Sequence, residues 1–141
     1  MFEWLRDIFF EKEYGVASVT KKGETVKSKA EKYIADYFFD NNINYEYEKP
    51  LEEGFWIFKE EISRPDFYLS DYDVYVEFWG LMNNPNYRRT MMLKMKEYKE
   101  IKLRYISLYP NNLKNLNYYF KKRLKEVTGK DVKTKYYKWK D

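Results

Sequence analysis

The stretch "RPDFYLSDYDVYVEFWG" (residues 64–80) holds two aromatic-rich runs on either side of the polar tetrapeptide Ser70–Asp73. Alternation in each run predicts strands over about 66–70 and 73–79, joined as a hairpin. A two-residue turn at Asp71-Tyr72 and a four-residue turn over 70–73 give the same register. In it Ser70 faces Asp73, Leu69 faces Val74, and Asp66 lies directly opposite Glu77. A three-residue turn would shift the pairing by one. Phe67, Leu69, Val74, Val76 and Phe78 then share the core side, and Asp66, Tyr68, Tyr75, Glu77 and Trp79 share the other. Directly opposed side chains have Cβ atoms roughly 4.5–5.5 Å apart, and like charges there destabilise the pair. At about 4 Å the repulsion is ~1 kcal/mol in water and ~4 kcal/mol near a protein surface. Two readings of the acids follow. Either both are exposed and separated by solvent, or a divalent cation joins them, paired carboxylates being the ligands Mg²⁺ takes.

Working outward, "SKAE" (28–31) has the form of a capping box, with Glu31 reaching back to the backbone of Ser28. It opens a helix over Ser28 to Asn41, whose apolar positions Ala30, Tyr33, Ile34, Tyr37 and Phe38 recur at the helical period. After the hairpin, Asn83-Asn84-Pro85 starts a helix to about Glu100, with Pro85 in its first turn. Tyr87, Met91, Lys94 and Tyr98 step by four, three and four, so they share one face. A lysine in such a stripe either snorkels along its aliphatic stem or meets an anionic partner in a cleft. Elsewhere, residues 2–10 suggest a short amphipathic helix, and "VTKKGETVK" (19–27) reads as a loop. "NYEYEKPL" (44–51) reads as a strand ended by Pro50, and "GFWIFKEEIS" (54–63) as a loop or short strand. "LRYISLY" (103–109) is a further strand. Leu113, Leu116, Phe120, Leu124 and Val127 mark a last helix stopped by Gly129. The expected class is α/β: a mixed central sheet flanked by helices.

At 141 residues the chain reads as a single domain over 1–141. Its core is expected over about 26–127, with an N-terminal helix and loop (1–25) and a basic aromatic tail (128–141). Aromatic residues make up 21%, 16 of them Tyr, too much packing material for a disordered chain. There is no Cys, which excludes disulfides and thiolate metal sites. There is also no His, which excludes imidazole bases, Ser-His and Cys-His nucleophiles and imidazole-ligated zinc. Carboxylates, Lys, Arg, Tyr and a hard metal remain. Glu3, Arg6 and Asp7 interrupt the apolar N-terminus, and no run of eighteen uncharged apolar residues occurs. An intracellular, cytoplasmic chain with no membrane partner is expected. The net charge is +4, and residues 130–141 carry five Lys and two Asp among Tyr136, Tyr137 and Trp139. That composition suits either a polyanion with stackable bases or a plain solvated tail.

"RPDFYL", the turn and "VYVEFWG", preceded by a helix carrying Glu31, resemble the PD-(D/E)XK nuclease superfamily, whose fold is restriction-endonuclease-like. The expected order of elements from Ser28 to about Tyr109 matches that fold's αβββαβ core. The pattern is similar to small nuclease modules found with superfamily I helicases. There the superfamily's lysine moves to the following helix, within a pattern matched here by Tyr87, Met91 and Lys94. In the standard motif that lysine would stand where this chain has Trp79. The resemblance implies a metal-dependent DNA endonuclease acting in repair, recombination, or mobile-element or viral DNA processing. Asp66, Glu77 and the backbone carbonyl of Phe78 would hold Mg²⁺ or Mn²⁺. Lys94 would position the attacking water and steady a phosphate oxygen, and Glu31 would orient a water, the lysine or a second metal. Arg64, Arg88, Arg89 and Lys138 would contact the DNA backbone, which fixes position rather than sequence. Trp79 keeps open an alternative, a catalytically inactive nucleic-acid-binding module on the same fold. A third reading is a protein-interaction subunit using Trp4, Leu5, Ile8 and Phe9. Those residues would serve a homodimer or simply pack on the chain's own core; separately, the resemblance implies a helicase or repair partner.

Overall fold

The computed structural model describes residues 16–51 and 64–135. The expected helix at 2–10, the loop or strand at 54–63, and Lys138 with the end of the tail lie outside them. The first helix, α1 (Lys29–Asp40), begins because Ser28 is extended and its hydroxyl accepts the Glu31 N–H at 3.1 Å. It ends at Asn41, whose backbone N–H is held by the Tyr37 and Phe38 carbonyls. Three strands follow: β3 (Glu46–Tyr47), β4 (Phe67–Leu69) and β5 (Val74–Phe78). Then come α2 (Pro85–Glu100), β6 (Tyr105–Leu108) and, after a 3₁₀ turn over Pro110–Asn115, α3 (Leu116–Thr128). Asn84 caps α2 by accepting the N–H groups of Asn86 and Tyr87, with Pro85 in the first turn as expected. Gly129, at φ 74°, closes α3.

The strands form one mixed sheet in the order β3-β4-β5-β6. β3, β4 and β5 are antiparallel neighbours, and β6 runs parallel to β5, because α2 carries the chain back across the sheet. The hairpin register pairs Phe67 with Val76, Tyr68 with Tyr75, and Leu69 with Val74. This is the pairing that places Asp66 opposite Glu77. The turn over 70–73 closes through the Tyr72 N–H on the Leu69 carbonyl, with Asp73 at φ 50°.

Both faces of the sheet are covered. Phe67, Leu69, Val74, Val76 and Phe78 pack with Ile34, Tyr37 and Phe38 of α1 and with Leu116, Phe120 and Leu124 of α3. Each such side chain contributes about 1.5–3 kcal/mol through burial. The opposite face carries a smaller cluster of Trp79, Met91, Tyr98 and Ile101 under α2. All five residues of β5 are therefore buried.

Several local expectations are corrected. Residues 19–27 are not simply a loop: β1 (Ser18–Val19) pairs with β2 (Thr25–Val26) around Gly23, whose φ of 105° suits glycine. The strand expected over 44–51 is only two residues long, because Glu48 turns left-handed at φ 50°. Residues 110–115, expected partly within the last helix, form the 3₁₀ turn instead. Among the described residues, no helix is long and apolar enough to cross a membrane.

Candidate functional site

Three acids converge at the end of the sheet where β4 begins and β5 ends. Asp66 lies half-buried just before β4, and its Oδ2 accepts the backbone N–H of Phe78 at 2.7 Å. That bond ties the start of one strand to the end of its partner. Glu77, 3% exposed, sits within β5 on the α2 side of the sheet. Its Oε2 accepts the Tyr98 hydroxyl at 2.7 Å. Glu31, 7% exposed, comes from the first turn of α1. Its carboxylate accepts the Ser28 hydroxyl at 3.0 Å. The cap expected from the sequence therefore forms, but Glu31 returns to the Ser28 side chain rather than its backbone. Tyr47 of β3 hydrogen-bonds to Glu31 as well, and its oxygen also accepts the N–H of Lys27 at 3.1 Å.

The three carboxyls are in mutual reach. Asp66 is in hydrogen-bonding contact with both Glu31 and Glu77. Burial, and then the charge of Asp66, push the Glu31 carboxyl up to about 8. Burial and the Glu77 charge hold Asp66 well above the ordinary carboxylate range, against the pull of the Phe78 N–H. Glu77 is raised by burial, against the favourable charge of Lys94 and the Tyr98 hydrogen bond. Without a cation the group must share protons, since adjacent buried carboxylates cannot all ionise. None of the ion pairs formed among the described residues involves these three acids; they engage Asp36, Asp40, Glu46, Glu48 and Asp131 instead.

The stripe on α2 faces this cluster. Tyr87 accepts the Gly80 N–H on its hydroxyl at 3.0 Å, Met91 is buried, and Tyr98 is fully enclosed. Lys94 is half-buried, its ammonium 5.9 Å from the centroid of the Trp79 ring, within cation–π range. Trp79 is 1% exposed and donates its indole N–H to the Ser107 hydroxyl at 2.9 Å. It is a core pillar under α2, and Lys94 leans on its face.

The structure thus brings Glu31, Asp66 and Glu77 together and sets Lys94 on the helix above them. Arg64 is exposed just before β4, and Arg88 and Arg89 are exposed on α2. Sequence reasoning placed Tyr98 on the stripe but gave it no partner, and it missed Tyr47 altogether. The alternation of Tyr45 and Tyr47 about β3 was the one available signal, and nothing in it pointed to Glu31.

An all-oxygen donor set of paired carboxylates suits a hard divalent ion. Among the described residues, no group of three or more His, Cys, Asp or Glu is arranged to enclose a metal. A site for Mg²⁺ needs only one or two carboxylates, the remaining positions being filled by water and substrate. Asp66 and Glu77 meet that requirement. Comparison of the chain with protein-family models, with curated proteins and with solved structures found no match.

Proposed function

We propose that the acid cluster is a divalent-metal site and that the chain is a Mg²⁺- or Mn²⁺-dependent DNA endonuclease with a restriction-endonuclease-like core. The observation that carries this reading is the contact of Asp66 with Glu77 and Glu31, beneath a helix whose Lys94 charge is felt at Glu77. The order α1, β3, β4, β5, α2, β6 supports the αβββαβ assignment. Asp66 and Glu77 would hold the ion, with the Phe78 carbonyl. When bound, that ion supplies Lewis-acid polarisation of a phosphoryl oxygen and acidifies its water.

The chain's own residues do the rest. The Phe78 N–H fixes the Asp66 carboxylate, and the Tyr98 hydroxyl fixes that of Glu77. Glu31, held by the Ser28 hydroxyl, would orient a water beside the ion. Lys94, held against the Trp79 ring, faces the charge that develops on the phosphate in the transition state. Trp79 therefore occupies the usual lysine position without removing the function, because the cation comes from α2.

The test is cleavage of supercoiled plasmid and of branched DNA with Mg²⁺ or Mn²⁺. Asp66→Ala and Lys94→Ala each lose about 10²–10³-fold, the scale of one lost electrostatic partner. Variants that cut as well as the parent would falsify the assignment. A second reading, a nucleic-acid-binding module without catalysis, is favoured by one observation: Lys94 enters no ion pair with the acids among the described residues. That reading expects salt-sensitive DNA binding and no cleavage in either metal.

A further inference from the structure

On the α2 side of the sheet, the row after Asp66 and Glu77 is Tyr68 and Tyr75. These are directly paired, with ring centroids 4.8 Å apart. They form one wall of a pocket of about 230 Å³, completed by Lys49, Asp73, Lys102, Leu103 and Arg104. Three cations and one acid line it. The acid is engaged, since Asp73 Oδ1 accepts the Tyr68 hydroxyl at 2.9 Å. Lys49 is anchored over the Tyr68 ring at 4.1 Å and lies 3.7 Å from Glu46. Lys102 and Arg104 are exposed, and neither enters an ion pair formed among the described residues. Lys102 takes a left-handed φ of 55° between α2 and β6. Among the described residues, the Arg104 guanidinium makes one long hydrogen bond, donated to the Tyr72 carbonyl at 3.5 Å.

We propose that this pocket binds a backbone phosphate of the nucleic-acid strand close to the one cleaved, with Lys102 and Arg104 as its anion contacts. The inference rests on the nuclease reading for the position of the cleaved phosphate. Two strand residues separate the tyrosine row from the acid row, about 7 Å, or roughly two nucleotides at 3.4 Å of helix axis each. A strand crossing the acid cluster and passing on the β4 side of α2, where Tyr68 is only half-buried, therefore meets the pocket within a step or two. The volume lies below the roughly 300–1,000 Å³ of pockets that enclose a whole small molecule. It suits one phosphate and part of its sugar. Guanidinium and ammonium groups side by side are the chemistry for such a phosphate.

The experiment measures fluorescence anisotropy of a fluorescein-labelled 30-base-pair duplex in EDTA across a NaCl series. The parent is compared with Lys102→Ala/Arg104→Ala and with Lys114→Ala/Lys122→Ala. The latter removes the same charge from exposed positions elsewhere, and all three proteins are first matched for thermal midpoint. The pocket variant is expected to bind on the order of 10-fold more weakly and to lower the salt slope by about 1–2. The control is expected to stay within about twofold. Equal weakening of both doubles, or of neither, overturns the pocket. Selective weakening in a protein that cuts no DNA with Mg²⁺ or Mn²⁺ supports the phosphate site and removes the nuclease reading instead.

Discussion

Raising the pH of the metal-free protein should destabilise it, and the acid cluster sets the size of the effect. Glu31 has an ordinary carboxyl value of 4.5, raised in the fold to about 8 by burial and by Asp66. Between those values the folded chain keeps a proton that the unfolded chain has released. The stabilisation is therefore complete below about 4.5 and is lost as the pH climbs through 8. Each pH unit in the interval is worth about 1.4 kcal/mol, so the full loss is on the order of 5 kcal/mol. Glu31 is only 7% exposed, which leaves little solvent to screen it. Asp66 and Glu77 are raised too and act in the same direction. About 4 kcal/mol of the Glu31 loss falls between pH 5 and pH 8.5, so at about 3–5 °C per kcal/mol for a chain of this size the midpoint in EDTA should fall by roughly 12–20 °C over that range. Near-UV circular dichroism melts at the two pH values measure it directly. Glu31→Gln removes the titrating proton while keeping an oxygen for the Ser28 hydroxyl. It should flatten the profile and melt above the parent at pH 8.5. A parent midpoint that holds or rises over this range would refute the reasoning, as would a Glu31→Gln variant that melts lower at pH 8.5.

Three further outcomes follow from the same geometry. Saturating Mn²⁺ at pH 8.5 should restore part of the lost stability, about 2.7 kcal/mol at one hundred times Kd, and scanning calorimetry with and without the ion reads it. Tyr98→Phe removes the hydroxyl that orients Glu77 and should weaken Mn²⁺ binding about 10–100-fold, measured by titration calorimetry. Equal affinity in that variant would show that the phenol is mere packing. Trp79→Lys, which places a lysine two positions after Glu77, puts an ammonium where a 1%-exposed indole now packs. It should cost about 3–5 kcal/mol in a urea melt and should not rescue cleavage in Lys94→Ala; a rescued double variant would assign the catalytic cation to position 79.

Much of the site was legible before folding. Strand parity and a four-residue turn were enough to set Asp66 opposite Glu77. The 3.6-residue period put Tyr87, Met91, Lys94 and Tyr98 on one face, and "SKAE" located the start of α1. These are short-range properties, fixed by bond geometry over a few residues. Other features were not legible in any window of sequence. Tyr47 and Asp66 reach Glu31 because β3 and β4 pair beside α1. Trp79 became a pillar for Lys94 because α2 covers the face that alternation alone marked as polar. The brevity of β3 and the β1–β2 hairpin likewise depend on left-handed backbone at Glu48 and Gly23. The chain order determined which groups were acidic and which way each would point. Only the packed layers removed water from Glu31 and Glu77, and without that desolvation three neighbouring carboxylates would be ordinary surface charges.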